Sequence, residues 1–372
     1  MTLKFKIFVG LVVFFAVSAL FLSSNVQAMP DIDKIDQQRN DSIDTEETTP
    51  AEQAAILSYW TREAIAAAQP LPFPQVVEDS SNDDFIDPTN VNMAPSAVSG
   101  HAPDPIAESI AQVEFPEDWQ IDFDSSADDA NFSPEGTAGV FTSYRANYYS
   151  QMHTSYPFKT VGRLTFTTLT GNASCTATVI SPNNVIVTAA HCVYDTVGNR
   201  YYTNFAFTPA WRNGSAPYGT FPFTQRYVLD NWRNASNTVI RYDVAIIKLG
   251  NNSSGRSVTY YTGYAGRSWN YNNLQSIHAF GYPSNLSSGN YTYVCAAETF
   301  SGGTDVLGMG CNMTNGSSGG PWFRIYAPYG SGSTNYVNAV VSSGTSGTNT
   351  FYGPKFTSNN IVPLCTQGPF TC

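Results

Sequence analysis

From Tyr156 onward the chain is written in short runs of Val, Ile, Thr, Tyr and Phe, broken by clusters of Gly, Asn, Ser and Pro. Residues 161–169, 176–180, 185–189, 244–249, 277–280, 322–326 and 336–341 are such runs. None keeps a helical period long enough to bury one face of a helix. These side chains must therefore be buried strand against strand, which predicts an all-β barrel or sandwich.

Charge divides the rest of the chain. Of its 29 Asp and Glu residues, 24 lie between residues 29 and 137, beside only Lys34, Arg39 and Arg62. That segment carries −21, while residues 138–372 hold five acids and 13 bases and carry +8. Two pieces with different roles are implied. The acidic piece, rich in Pro, Ser and Asn, buries too little apolar surface to fold alone and is expected to be largely irregular. One stretch departs from this. Thr49-Pro50-Ala51-Glu52 offers a capping residue, a proline at the first helical position and a capping-box glutamate. A helix is predicted from there to Gln69, stopped by Pro70, with Ile56, Tyr59, Trp60, Ala64 and Ala67 on one face. Such a face needs a surface, either in its own segment or on the basic domain.

The first 28 residues have the form of a secretory signal. Lys4 and Lys6 precede a mostly apolar run of 16 residues, 7–22, and Val26-Gln27-Ala28 is a small-residue cleavage pattern. The run is short for a membrane span, which needs about 20 residues. The division expected is a signal at 1–28, an acidic pro-segment at 29–137 and a folded domain at 138–372. The domain is expected to be secreted and free of the membrane once the signal is cut. All six cysteines, Cys175, Cys192, Cys295, Cys311, Cys365 and Cys372, fall in the basic part. An even count in an exported chain reads as disulfides, and none of the spacings is that of a zinc site. Cys192 can pair with Cys175 at the start of the preceding strand. The other four allow three pairings, of which proximity favours Cys295–Cys311 and Cys365–Cys372.

Three short segments carry chemistry. In Thr188-Ala189-Ala190-His191-Cys192, a β-run delivers His191 to a strand end. In Tyr242-Asp243-Val244-Ala245, an acid heads an apolar run, where burial is costly unless it is paired, and a histidine ring nitrogen is a suitable partner. In Asn315-Gly316-Ser317-Ser318-Gly319-Gly320-Pro321, glycines permit a tight turn. That turn exposes the Ser318 hydroxyl and can aim the Gly316 and Ser318 N–H groups at one point, an oxyanion hole.

In the order His, Asp, Ser, these segments resemble the chymotrypsin/trypsin-like family of secreted serine endopeptidases, including its bacterial, glutamyl-endopeptidase-like branch. The resemblance implies two antiparallel six-stranded β-barrels with the site between them. It makes Ser318 the nucleophile, His191 the base and Asp243 the orienting carboxylate, hydrolysing peptide bonds through an acyl-enzyme. Ser342, Ser343 and Gly344 match the strand that pairs with substrate backbone, and Asn312 falls at the specificity pocket. Protein or peptide substrates are implied, and no metal, organic cofactor or nucleic acid. Ser317 stands where many relatives have an aspartate that receives the new N-terminal ammonium on activation, so that ion pair has no acid here. Val341 stands where glutamyl endopeptidases place a histidine. Neither cationic nor acidic substrate side chains have a counter-charge, so an uncharged pocket is expected. The acidic pro-segment is expected to hold the basic domain electrostatically and inhibit it, the alternative being a solubilising spacer. The alternatives are a binding protein without catalysis, or an esterase, on the same scaffold.

Overall fold

Strand Val161–Thr168 is paired along both edges, with Gly171–Ser181 on one side and Thr203–Pro209 on the other. In the computed structural model, which describes residues 47–74, 94–103, 136–146, 152–234, 239–330, 332–345, 347–367 and 369–372, this ladder continues until it closes. The antiparallel order is Gly171–Ser181, Val161–Thr168, Thr203–Pro209, Phe221–Val228, Ala245–Leu249 and Val185–Thr188, and the last strand pairs back with the first. Closure removes the open edges of a six-stranded sheet. Leu164, Phe166, Val179, Phe205, Phe207, Phe221, Phe223 and Ile247 fill the interior. Each such side chain stabilises the fold by roughly 1.5–3 kcal/mol relative to exposure.

Two further sheets join the C-terminal strands to two short ones from earlier in the chain. Seven strands run in the order Ser96–Val98, Gly266–Trp269, Tyr336–Val340, Pro321–Arg324, Ser276–Gly281, Tyr293–Glu298 and Thr142–Arg145. Four more run Phe300–Gly303, Val306–Gly310, Thr350–Pro354 and Ser343–Thr345. The sheets meet at the isolated bridge between Ala339 and Lys355 and share a core of Ile277, Leu307, Met309, Trp322 and Phe351. The all-β expectation holds. Two short parallel ladders depart from a purely antiparallel plan, Gly266–Trp269 on Tyr336–Val340 and Gln69–Pro70 on Gly171–Ser181. Among the described residues no helix is long and apolar enough to cross a membrane. The signal expected at 1–28 and much of the acidic segment lie outside the described residues.

The single helix expected up to Gln69 is two. Pro50–Tyr59 carries the capping box, Thr49 accepting from Glu52 N while Glu52 reaches back to Thr49 N. Arg62–Ala67 starts afresh because Thr61 caps it by accepting from Ala64 N. The break turns the buried face. Ile56 and Trp60 are buried as expected, but Ile65 and Ala68 take the place of Ala64 and Ala67, and Tyr59 is exposed. That face rests on the closed barrel. Trp60 Nε1 donates to Asn204 O at 2.6 Å, Tyr59 Oη to Asn172 at 2.9 Å, and Thr48 is bonded to Phe223 O and Thr224 O. Lys248 pairs with Glu47 across the same contact at 3.1 Å.

Two histidines outside any reactive cluster make the fold acid-sensitive. Burial, aided by the nearby Arg212 charge, lowers His153 from 6.5 to about 4. Burial alone lowers His278, which packs 4.3 Å from the Tyr326 ring, from 6.5 to about 4. Between those values the unfolded chain binds more protons than the folded one. Stability is therefore full above pH 6.5 and falls as pH drops toward 4, by at most about 3 kcal/mol per histidine. Urea midpoints measured from pH 7 to pH 4 should decline, and His153→Gln with His278→Gln should flatten that decline.

Candidate active site

The register of two strands sets the first half of the site. Ala245 lies opposite Thr188, so the turns that leave these strand ends emerge together. One is the 3₁₀ turn Ala190–Cys192, carrying His191, and the other is Ile240–Tyr242, which ends on Asp243. Cys192 is bridged to Cys175, so the residue after the histidine is fixed to the strand Gly171–Ser181. The bridges Cys295–Cys311 and Cys365–Cys372 also form.

Asp243 is fully buried, and burying a carboxylate is costly unless its lone pairs are filled. Three donors fill them. His191 N donates to Oδ1 at 2.8 Å, His191 Nδ1 lies 2.7 Å from Oδ2, and the Ser342 hydroxyl donates to Oδ2 at 2.5 Å. Because the carboxylate only accepts, Nδ1 must hold the proton, and Nε2 is left as an acceptor. Holding one residue by both its backbone and its ring fixes the direction in which Nε2 points. The Ser342 hydroxyl thus holds the acid, a side-chain contact distinct from the backbone pairing with substrate expected of residues 342–344.

The second half of the site is the loop around Ser318. Gly316 and Gly319 have φ of +88° and +78°, a region that side chains disfavour. A Cβ on Gly319 would stand 2.0 Å from Thr188 Oγ1 and 2.4 Å from Thr176 O. The loop is laced to the barrel through Thr176. Its N–H donates to Ser318 O, its hydroxyl donates to Gly316 O and accepts from Tyr282 N, and its carbonyl accepts from Thr188 Oγ1. Sequence reasoning missed this residue, since a threonine inside a β-run carries no signal. On the other side Gly319 N donates to Val341 O and Val341 N to Gly320 O. Ser317 is turned inward, donating to Thr314 O at 2.5 Å, so its hydroxyl is satisfied within its own turn.

Ser318 hangs on Thr176, and His191 is next to the cysteine bridged to Cys175, so adjacent residues of one strand hold both. Ser318 Oγ and His191 Nε2 are each buried without a hydrogen-bond partner among the described residues. Such orphaned groups cost about 1–3 kcal/mol each and are tolerated where function needs them. A nucleophile-to-base hydrogen bond is often open before substrate arrives. Cys175, His191 and Cys192 lie close enough to suggest a metal, but the two sulfurs are bonded to each other and neither is a thiolate ligand.

Of the expected substrate contacts, Ser343 and Gly344 begin the strand Ser343–Thr345, paired with Thr350–Pro354. Asn312 turns its side-chain oxygen toward the Cys295–Cys311 bridge, 3.7 Å from Cys295 Sγ, and Asn315 Oδ1 accepts from Phe73 N. A separate cavity of about 610 Å³, lined by Tyr271, His278, Arg324 and Tyr326, contains none of these residues.

The family model described as Trypsin matches residues 150–360. An extracellular metalloprotease of Bacillus subtilis is 29% identical over 183 residues, covering 48% of this chain and 55% of that protein. A glutamyl endopeptidase of Bacillus licheniformis is 27% identical over 177 residues, covering 46% and 50%. The chain thus spans about half the length of the curated relatives it matches. The solved structure of a Glu endopeptidase in complex with MPD shares the fold, with a TM-score of 0.50 and 23% identity over 62% of this chain and 98% of that one.

Proposed function

The chain belongs to the trypsin family, and on that premise we propose that it is a secreted serine endopeptidase acting through His191, Asp243 and Ser318. The observation that carries the reading is the doubly bonded Asp243–His191 pair, braced on the same strand that holds Ser318 in its glycine turn. His191 Nε2, free to accept, takes the Ser318 proton as Oγ attacks the carbonyl carbon of the substrate. The negative charge gathered on the carbonyl oxygen is met by the Gly316 and Ser318 N–H groups. The imidazolium, stabilised by Asp243, returns its proton to the leaving nitrogen. An acyl group stays on Ser318 until water, activated in the same way, removes it. No step calls for a metal.

The finer reading is that residues 1–28 direct export and that the acidic segment is a removable pro-region. The specificity pocket is uncharged, since Val341 and Asn312 supply no counter-charge. Casein digestion by the processed protein, with a set of peptides varied on the acyl side of the cut, tests this. Cleavage that vanishes in Ser318→Ala, with no marked preference for Arg, Lys, Asp or Glu, is the expected outcome. Hydrolysis of esters alone would make the protein an esterase, and inertness toward both would leave a binding protein.

A further inference from the structure

Residues 69–73 read Gln-Pro-Leu-Pro-Phe, and Pro74 follows. Proline lacks an N–H and favours an extended backbone, so Leu71 and Phe73 supply the two N–H groups of residues 70–74. Both are used, and both bind the walls of the cleft. Leu71 N donates to Ser174 O at 2.9 Å, and Phe73 N to Asn315 Oδ1 at 3.3 Å. Between them the Leu71 carbonyl accepts from Gly316 N at 3.3 Å, the donor assigned above to the developing oxyanion. Pro70 packs on Gly316, 3.0 Å from where a Cβ would stand. The Phe73 ring lies against Gly344 and stands edge-on to Phe351 at 5.6 Å between centroids. Upstream, the buried Arg163 donates from Nη2 to Ala68 O at 2.6 Å and to Ser174 Oγ at 3.0 Å, fixing where the segment enters.

The direction of this segment matters. The leaving nitrogen of a substrate must face the His191 ring that protonates it. His191 adjoins Cys192, which is bridged to Cys175 beside Ser174, so the leaving, C-terminal side belongs toward Ser174 and the acyl, N-terminal side toward Ser342–Gly344. Here the earlier residue Leu71 is on Ser174 and the later residue Phe73 is on Gly344. The chain runs the opposite way. Were Ser318 to attack the Leu71 carbonyl, the leaving nitrogen would be that of Pro72. It would point toward Gly344 rather than toward the His191 ring that must protonate it.

We propose that residues 69–73 are an uncleavable plug, lying backwards through the active-site cleft with the Leu71 carbonyl on the oxyanion donor Gly316. This rests on the endopeptidase reading for its purpose, but the plug itself is testable without catalysis. In the full chain carrying Ser318→Ala, amide exchange across residues 312–318 should be slow. It should quicken by about 10-fold or more when Leu71→Asp and Phe73→Asp are added, because a tethered ligand acts at an effective concentration near millimolar. Equal exchange with and without those substitutions overturns the plug. In the chain with Ser318 intact, a fluorophosphonate should label Ser318 slowly until the plug is mutated or the segment removed. The intact mass should show no self-made cut between Gln69 and Pro74; a cut there overturns the reversed direction. If exchange responds but the processed protein takes no label, the plug stands and the endopeptidase reading falls.

Discussion

Asp243→Asn is expected to lower kcat by about 10⁴ while leaving the protein folded, on the precedent of such triads. The carboxylate only accepts, and it accepts from both the His191 backbone and ring. An amide in its place presents an N–H group on one side. To avoid two donors facing each other, the imidazole takes the other tautomer, with the proton on Nε2. The atom that should receive the Ser318 proton is then already protonated. The imidazolium formed during reaction also loses its counter-charge. The side chain keeps its shape, so a circular-dichroism melt should move far less than the rate. A kcat within 10-fold of wild type, with KM unchanged, would mean that His191 is not the working base.

Gly319→Ala should have the second large effect, and on structure as well as rate. Its φ of +78° is strained for alanine, and the methyl group would fall 2.0 Å from Thr188 Oγ1. Thr188 and Thr176 are linked by a hydrogen bond, and Thr176 holds both Gly316 and Ser318. The clash would therefore reach the oxyanion loop through its own anchor. Strain and lost hydrogen bonds together should cost about 2–4 kcal/mol, and activity should fall by more than the folded fraction alone explains. Thermal melts and active-site titration of the same sample separate the two. A variant with wild-type stability and rate would show that the loop is not held as described.

Much of this was legible in the sequence because the signals were local. Short β-runs gave the all-β class but left barrel and sandwich open until the family resemblance, and a β-run leading to His191-Cys192 pointed to the strand end and its bridge. Long-range pairing was not legible. Nothing near Thr176 or Ser342 shows that one laces the serine loop and the other holds Asp243, since both roles arise from residues far away in the chain. The helix at Pro50 was readable to Trp60, but Thr61 serves equally well inside a helix or as a new cap, and tertiary packing of Ile65 decides. The acidic segment was read from charge as a partner of the basic domain. Among the described residues, Ile56, Trp60 and Leu71 seat it by apolar and backbone contacts, which composition averages away.

The central claim is that Ser318 is an activated nucleophile. The most direct measurement reacts the processed protein with a serine-directed fluorophosphonate and maps the adduct by mass spectrometry. One adduct is expected, on Ser318, absent in Ser318→Ala and formed far more slowly in His191→Ala. A correctly folded, processed protein that takes no label, or takes it at another residue, would contradict it.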